Sequence, residues 1–328
     1  MSQEVMSLPD INTIQVSPAT PIVSVDNLVK RYKKADKNAV DGVSFSVAQG
    51  DMFALLGPNG AGKTTAISIL TTTLAPTSGS VRIAGYDLAT QSLQVRQQIG
   101  IVFQRPSLDL NLTAEENVRL HATLYGLYPY RLAYRMMPQA YRTQVSELAA
   151  LLGIEESLFK PVKTFSGGMK RKLEIVRSLL HRPAVLFLDE PTTGLDPESR
   201  RGLWEYLRQV RAESGTTVFL TTHYLEEAEK ADRVCILNHG RVVSSGTPEQ
   251  LKAELAQPTL LIDAPNRNSL RAELQQIGQP FEEGAFFSIN MENQVVHQFL
   301  KSLATPLSVV QTHSPSLEDV YLNIIKQD

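Results

Sequence analysis

The stretch Gly57-Pro-Asn-Gly-Ala-Gly62-Lys63-Thr64 decides the fold of this chain. It directly follows the apolar run Phe53-Ala-Leu-Leu56, which predicts a strand, and it opens a helix predicted over residues 63–74. Glycines at these positions let successive backbone N–H groups turn toward one point, and the helix N-terminus adds partial positive charge. We therefore expect a phosphate-binding loop in which Lys63 reaches the β- and γ-phosphates of a nucleotide and Thr64 offers its hydroxyl to Mg²⁺. A glycine-rich turn with a solvated lysine is the alternative, which the flanking strand and helix disfavour.

A second feature is an apolar strand that ends in two carboxylates. The run Val185-Leu-Phe-Leu188 is followed at once by Asp189 and Glu190. Side chains at the carboxyl end of a parallel strand face the ligand crevice. Asp189 is thus expected to hold Mg²⁺, and Glu190 to orient or deprotonate an attacking water. An acidic pair after a strand is by itself more often a helix N-cap region or a solvated turn, so this prediction depends on the phosphate loop that precedes it.

Two further polar residues follow predicted strands. His223 comes after the strand predicted over residues 217–221, where an imidazole can donate a hydrogen bond to a γ-phosphate. A hydrogen-bonded structural histidine is the alternative. Gln104 follows the strand predicted over residues 99–103, and its amide could contact metal or water, although a surface glutamine is equally compatible with the sequence.

The order of these motifs, together with two more, resembles the ATP-binding cassette family. The motif Phe165-Ser-Gly-Gly-Met-Lys170 resembles the family's signature and opens a helix, and Pro191-Thr-Thr-Gly-Leu-Asp-Pro197 follows the acidic strand. The resemblance covers approximately residues 22–246. A serine and two glycines at a helix start form an anion-binding N-terminus without a blocking side chain. In the family this end faces the γ-phosphate held by the other subunit, so the resemblance implies a pair made of two copies or of one copy and a similar protein.

The resemblance also assigns roles residue by residue. It implies that Gln104 lies in the loop that couples nucleotide to permease, that His223 is the switch histidine, and that Asp196 lies in the loop crossing the dimer interface. Tyr32 matches the aromatic residue that stacks on adenine, with an ordinary core or surface tyrosine as the alternative. The nucleotide-binding residues expected in this way are Tyr32, Gly57, Pro58, Asn59, Gly60, Ala61, Gly62, Lys63, Thr64, Thr65, Ser166, Gly167, Gly168 and Asp196. The expected catalytic residues are Glu190, His223 and Gln104, and the expected Mg²⁺ ligands are Thr64, Gln104 and Asp189.

The signature departs from the family pattern at two positions. Phe165 stands where leucine is common, and Met169 stands where glutamine is common. The anion cradle of Ser166 to Gly168 is kept, so ATP sandwiching remains the expectation. The Ser-Gly-Gly-Met form and the extension Ser316-Leu-Glu-Asp-Val-Tyr-Leu322 resemble the exporter branch that includes drug-resistance and nodulation-factor transporters.

The alternation of strands and helices predicts an α/β fold. The resemblance implies a P-loop NTPase cassette with a parallel-rich core sheet, an antiparallel β subdomain and an α-helical subdomain. We expect a flexible tail over residues 1–20, the cassette over residues 21–246 with its helical subdomain at about 105–182, and an accessory domain over residues 247–328. The accessory domain reads as strand, helix, strand pair, helix, strand and a final helix from residue 317, the order of a ferredoxin-like unit. A dimerising or regulatory role is the expectation for it.

Bulk composition narrows the class of protein. Of the 328 residues, 42% are hydrophobic and 20% are charged, which supports a packed core, and the net charge of -2 argues against a general nucleic-acid partner. The single cysteine, Cys235, rules out an internal disulfide and lies in an apolar run typical of a buried thiol. No apolar run approaches the ~18–20 residues that span a bilayer, and the N-terminus does not resemble a secretory signal. A membrane role would therefore act through a partner.

The leading hypothesis is an ATPase subunit that powers an exporter through a separate integral membrane permease. Such a subunit would sit peripherally at the cytoplasmic face of the membrane, held by the permease. The alternatives are a soluble cassette ATPase acting on ribosomes or DNA, a subunit driving import, and a partner that binds ATP without turnover. The stretch Tyr128-Pro-Tyr-Arg-Leu-Ala-Tyr-Arg-Met-Met-Pro138 lengthens the helical region, and its tyrosines and arginines could face a permease or lipid headgroups, or only solvent.

Overall fold

The computed structural model describes residues 20–255, 259–291, 296–313, 316–319 and 321. The tail expected over residues 1–20 lies outside the described residues except for residue 20. The final helix expected from residue 317 also lies largely outside them. Among the residues described, no helix is both long enough and apolar enough to cross a membrane.

The chain folds into fourteen described strands and ten described α-helices. The strands are β1 (Val23–Lys30), β2 (Val40–Val47), β3 (Met52–Leu56), β4 (Ser78–Ile83), β5 (Tyr86–Asp87), β6 (Ile99–Val102), β7 (Val185–Asp189), β8 (Thr217–Thr222), β9 (Arg233–Asn238), β10 (Arg241–Gly246), β11 (Thr259–Asp263), β12 (Glu282–Glu283), β13 (Phe287–Asn290) and β14 (Val309–His313). The helices are α1 (Lys63–Leu70), α2 (Ser92–Gln98), α3 (Ala114–Leu124), α4 (Gln139–Leu151), α5 (Gly167–Leu179), α6 (Pro197–Ser214), α7 (Leu225–Ala228), α8 (Pro248–Leu255), α9 (Arg267–Gln276) and α10 (Val296–Ser302). Short 3₁₀ turns cover Tyr134–Met136, Glu155–Ser157 and Val162–Thr164.

The main sheet brings the predicted motifs to one edge. Its strand order is β10-β9-β3-β8-β7-β6, parallel except for the edge strand β10. Leu56, the last residue of β3, pairs with Thr222 of β8, and Asp189 of β7 pairs with Thr221. Because these parallel strands end side by side, the phosphate loop, the acidic pair and His223 lie along the same edge.

Both faces of the main sheet are covered. Along β3, Met52, Ala54 and Leu56 belong to one apolar core, and Phe53 and Leu55 belong to the other. This alternation follows from the two-residue period of a strand. On the second face the rings of Phe45, Phe53, Phe219 and Phe187 pack in succession with centroids 5.1–5.2 Å apart. Cys235 is buried in this same core.

Two smaller layers complete the cassette. An antiparallel sheet of order β2-β1-β4-β5 packs against the second core, and the helices α3 to α5 pack against the first. Helix α3 begins in a capping box, in which the Thr113 hydroxyl accepts from the Glu116 backbone and the Glu116 carboxylate accepts from the Thr113 backbone. The predicted class is confirmed: a parallel-rich core sheet, an antiparallel β subdomain and a helical region.

Several predicted boundaries are wrong by a few residues. Helix α1 ends at Leu70 rather than at residue 74 because three threonines follow it. The hydroxyls of Thr71 and Thr73 donate to the carbonyls of Ile67 and Ser68 and offer the backbone an alternative to further helical bonds. Strand β5, helix α2, strand β10 and helix α8 were not predicted from the sequence.

The C-terminal residues form a separate sheet with the predicted element order. It runs β11-α9-β12-β13-α10-β14, and its antiparallel sheet has the order β12-β13-β11-β14, with a small core of its own. This is a ferredoxin-like arrangement. Two residues near its ends, Leu251 of α8 and Leu317, are buried in the large core of the cassette instead.

Candidate active site

The phosphate loop is held in shape by its glycines. Gly62 has φ +105° and precedes Lys63, the first residue of α1, and a Cβ there would come within 2.3 Å of the carbonyl oxygen of Ala39. A Cβ at Gly57 would lie 2.3 Å from the carbonyl oxygen of Leu237. The loop therefore packs against neighbouring backbone at both ends, which only glycine permits. It borders a cavity of about 170 Å³ lined by Asn59, Thr64, Thr65 and Glu190 among others.

Lys63 lies in this cavity. Its side chain is buried, and Nζ donates to the carbonyls of Gly57 at 2.7 Å and Pro58 at 3.0 Å. Burial lowers the pKa of Lys63, while the carboxylates of Glu190 and Asp189 act in the opposite direction. An ammonium has three N–H donors, so the two carbonyls leave a third donor of Lys63 for an anion.

Glu190 is the residue on which the other predicted side chains converge. Its Oε2 accepts from Gln104 Nε2 at 3.1 Å, and its Oε1 lies 3.8 Å from Lys63 Nζ and 3.4 Å from His223 Nδ1. The histidine is close but is not aligned for a hydrogen bond. Three side chains from three separate chain segments thus surround the carboxylate of Glu190, although the four residues span 160 positions in sequence from Lys63 to His223.

The backbone at Glu190 is strained. Its φ of +44° is a left-handed conformation that a non-glycine residue adopts rarely, and such strain concentrates at functional sites. The Glu190 N–H donates to the Thr221 hydroxyl at 3.0 Å, and that hydroxyl donates to Asp189 Oδ1 at 2.5 Å. Thr221 therefore orients both members of the acidic pair. Burial raises the pKa of Asp189, an effect that the Thr221 hydrogen bond opposes.

The donor set at this edge suits a magnesium ion. Mg²⁺ prefers oxygen ligands and is commonly held by one or two protein groups together with substrate phosphates. Asp189 is the last residue of β7, Thr64 lines the same cavity as Glu190, and the Gln104 amide donates to Glu190. Among the described residues, Thr221 donates to Oδ1 of the buried Asp189, which leaves Oδ2 for a cation.

Tyr32 lies beside the start of α1. It is 46% exposed, and its hydroxyl is 3.2 Å from the Thr65 hydroxyl. The Lys30 ammonium lies 5.8 Å from the centre of its ring. An exposed aromatic face next to the phosphate loop is available for a planar ligand.

The predicted signature lies apart from the phosphate loop of its own chain. Ser166 caps α5 by accepting from the Met169 N–H at 3.2 Å, and Ser166 and Gly167 are exposed. A Cβ at Gly168 would lie 2.7 Å from Ser199 Oγ, so the helix start packs closely on α6. Asp196 caps α6 through Ser199, and these bonds lower the pKa of Asp196. Within the described part of the chain, no hydrogen bond or ion pair connects Ser166 to Gly168 with the phosphate loop.

Sequence reasoning missed Arg171, which connects three parts of the site. This buried residue of α5 donates to the carbonyls of Phe103, Asp189 and Pro191 and forms an ion pair with Glu174 at 3.2 Å. Burial lowers the pKa of Arg171, and Glu174 opposes the shift. A guanidinium offers five N–H donors in a planar fork, so one side chain can connect the signature helix, the Gln104 segment and the acidic strand. A basic residue in a helix carries no sequence signal for this role.

The sequence of this chain matches a known protein family and named relatives. The family model described as "ABC transporter" matches residues 40–193. A daunorubicin resistance ATP-binding protein, DrrA3 of Streptomyces coeruleorubidus, is 41% identical over 237 residues, which is 72% of this chain and 71% of that protein. A Nod factor export ATP-binding protein I of Burkholderia pseudomallei (strain 1710b) is 38% identical over 307 residues, covering 92% of this chain and 96% of that protein.

Solved structures give the same result. An ATP-binding subunit of an ABC transporter matches with a TM-score of 0.61 and 33% identity, covering 71% of this chain and 92% of its own. A dimeric ATP-binding cassette in a post-hydrolysis state, bound to ADP and Pi, matches with a TM-score of 0.61 and 27% identity over 69% of this chain and 98% of its own.

Proposed function

This chain belongs to the ATP-binding cassette family, and on that premise we propose that it is the ATP-hydrolysing subunit of an exporter, acting through a separate membrane permease. ATP binding and hydrolysis coupled to transport are the activity of the family. The observation that carries the assignment is the convergence of Lys63, Gln104 and His223 on Glu190 beside the phosphate loop. Relatives named for drug resistance and Nod factor export support export as the direction.

In this proposal each side chain has one task. The loop N–H groups and the Lys63 ammonium bind the phosphates, and Tyr32 stacks on adenine. Glu190 takes the proton of the attacking water, and His223 donates to the γ-phosphate. Thr64, Asp189 and Gln104 would hold Mg²⁺, which supplies charge stabilisation for the transferring phosphoryl group.

A second copy, or a similar cassette, completes the site. Ser166 and Gly167 expose a helix N-terminus with unpaired N–H groups, which favours an anion, yet this end has no bond to the phosphate loop of its own chain. An anion held by another cassette would satisfy it. The dimeric cassette with ADP and Pi supports this arrangement.

A permease partner accounts for a concentration of exposed apolar side chains on the helical region. These exposed residues are Phe103, Leu110, Leu120, Leu124, Tyr125, Tyr130, Leu132, Met136 and Phe159. Exposed apolar side chains concentrated in one region of a folded chain favour an interaction site there. In the stretch from residue 128 to 138 only Tyr130 among the tyrosines is exposed, because Tyr128 and Tyr134 pack edge-on against Tyr141. We place the protein peripherally at the cytoplasmic face of the membrane, held by that permease.

A variant that binds ATP but hydrolyses it slowly tests the proposed roles of Glu190 and of the second cassette. Glu190→Gln should bind ATP, lose hydrolysis by about 10²–10⁴-fold and run as a dimer only with ATP and Mg²⁺ present, measured by light scattering after gel filtration. Adding Gly167→Glu should abolish the dimer, since its carboxylate repels the phosphate, and should leave ATP binding by the monomer intact, because a Cβ at the exposed Gly167 comes no closer than 3.8 Å to Leu195 Cδ2. Gly202→Glu is the matched control, because a Cβ at Gly202 meets nothing within 4 Å. A dimer that survives Gly167→Glu would refute the shared site.

A further inference from the structure

A buried carboxylate outside the predicted site joins the two loops that carry Glu190 and His223. Glu227 is the third residue of α7 and is only 1% exposed. Its Oε1 accepts a hydrogen bond from the Thr192 hydroxyl, and its Oε2 accepts one from the Thr222 hydroxyl at 2.7 Å. No ion-pair partner of Glu227 occurs among the residues described. The two threonines are its side-chain partners, and both are buried.

Thr192 and Thr222 each lie within two residues of a predicted catalytic residue. Thr192 is two residues after Glu190, in the turn where the Thr193 N–H donates to the Glu190 carbonyl at 3.2 Å. Thr222 is the last residue of β8 and directly precedes His223. Its hydroxyl also accepts from the Tyr224 N–H at 2.9 Å, which fixes the backbone on the other side of the histidine.

Burying the Glu227 carboxylate at this position has an unfavourable desolvation free energy. Removing a charged group from water costs free energy unless hydrogen bonds replace its hydration, and an apolar side chain could fill the same volume without that cost. The two charge-assisted bonds are stronger and more directional than apolar contacts, so they fix the separation of the groups that they connect. The loops connected here carry Glu190 and His223, and Glu190 Oε1 lies 3.4 Å from His223 Nδ1.

We propose that Glu227 is a positioning residue for hydrolysis, which holds the Glu190 loop and the His223 loop in register through Thr192 and Thr222. The inference rests on the proposed roles of Glu190 and His223. Glu227 itself does not touch the nucleotide. A displacement of about 1 Å between catalytic groups can slow a reaction on the order of 10²-fold, so loss of either hydroxyl should lower kcat.

Isosteric substitutions separate positioning from packing. Thr192→Val and Thr222→Val keep the shape and remove the hydroxyl, and Thr192→Ser and Thr222→Ser retain it. In the full chain we expect each valine variant to lower kcat by about 10- to 100-fold, while KM and ATP affinity stay within about twofold. Each serine variant should restore kcat to within about threefold of the starting value. Glu227→Gln should resemble the valine variants, because an amide nitrogen cannot accept from the second threonine.

Thr216→Val provides the matched control. Thr216 is equally buried, and its hydroxyl donates to the Pro183 carbonyl at 3.1 Å, before β8 begins and away from the site. It should lower thermal stability as the site variants do and leave kcat unchanged. A loss of kcat that follows thermal stability across all three valine variants, or valine variants with unchanged kcat, would overturn the positioning role.

A measurement that needs no hydrolysis distinguishes this proposal from the proposed function. The imidazole proton resonances of His223, identified by their disappearance in His223→Gln, should shift in Thr192→Val and Thr222→Val and stay in place in Thr216→Val. Unshifted resonances in both site variants would overturn the positioning role. Shifted resonances in a protein that never hydrolyses ATP would show that the two loops are held in register and would reject the proposed function.

Discussion

The buried guanidinium of Arg171 gives the most quantitative prediction. Arg171→Met keeps much of the side chain's length and removes every donor. The carbonyls of Phe103, Asp189 and Pro191 then lose a partner, and the Glu174 carboxylate, which is 1% exposed, loses its cation. Breaking a buried ion pair by removing one partner costs about 3–5 kcal/mol.

The expected loss is large enough to measure by thermal unfolding. At roughly 2–4 °C per kcal/mol for a domain of this size, the cassette transition should fall by about 6–20 °C. Arg171→Lys, which keeps the charge but not the planar fork, should lose less. Arg171→Met combined with Glu174→Gln should recover part of the loss, because the unpaired charge is gone. The measurement is calorimetry at one protein concentration, with Arg201→Met as a control at an exposed position of α6.

A transition within about 2 °C of the starting protein in Arg171→Met would refute the reasoning. It would mean that water or a rearranged backbone satisfies the three carbonyls. Equal losses in the single and double variants would show that the backbone bonds stabilise the fold and that the ion pair does not.

Three further predictions follow from single contacts. Gly62→Ala should abolish ATP binding in a nucleotide titration, since its Cβ would strike a backbone oxygen, whereas Gly60→Ala, with φ +85° and open space, should cost only about 1–2 kcal/mol of stability and keep binding. The pKa of His121 is lowered to about 3, chiefly by burial and then by Arg177. The unfolded chain therefore binds the extra proton below pH 6.5, and stability should fall as pH decreases, by about 2 kcal/mol at pH 5. In urea titrations at pH 7 and pH 5, His121→Phe should remove that difference, and an unchanged pH dependence would contradict the assignment. Tyr32→Ala should weaken ATP binding by about 2- to 12-fold with Tyr32→Phe near the starting value, and equal losses in both would implicate the hydroxyl rather than the ring.

The phosphate loop and the acidic strand could be predicted from sequence because their signals are local. A strand, a glycine-rich turn and a helix start adjoin one another in the chain, so Lys63 and Thr64 were assigned from a few residues. The apolar run ending at Asp189 likewise shows its position at a strand end. Their proximity needed only the rule that parallel strands present their carboxyl ends together.

Other residues of the site could not be predicted, because their roles depend on contacts between residues that are far apart in sequence. Thr221, Arg171 and Glu227 act on the site through hydrogen bonds to residues distant in the chain. Thr221 and Arg171 bond to Asp189, and Glu227 bonds to Thr192, across 18 to 35 positions. Threonine, arginine and glutamate occur at many surface positions, so their types alone carry no information. The end of α1 was missed for a related reason, because it depends on threonine hydroxyls competing with the backbone rather than on apolar periodicity.

The role of the C-terminal unit stays a prediction. A chain ending near Gly246 would also lose Leu251 and Leu317 from the cassette core, so truncation confounds function with stability. Substitutions on the exposed surface of α9 avoid this problem. If the unit dimerises or regulates, they should change the ATP dependence of the dimer.

Recovery of a membrane partner tests the central claim most directly. Tagged Glu190→Gln protein would be isolated from gently solubilised membranes with ATP and Mg²⁺ present, alongside a variant with Leu132→Ser and Met136→Ser on the exposed helical region. The proposed function predicts an integral membrane protein in stoichiometric amount with Glu190→Gln and much less of it with the serine variant. Recovery with ribosomes, with DNA or with no membrane protein would contradict an exporter subunit.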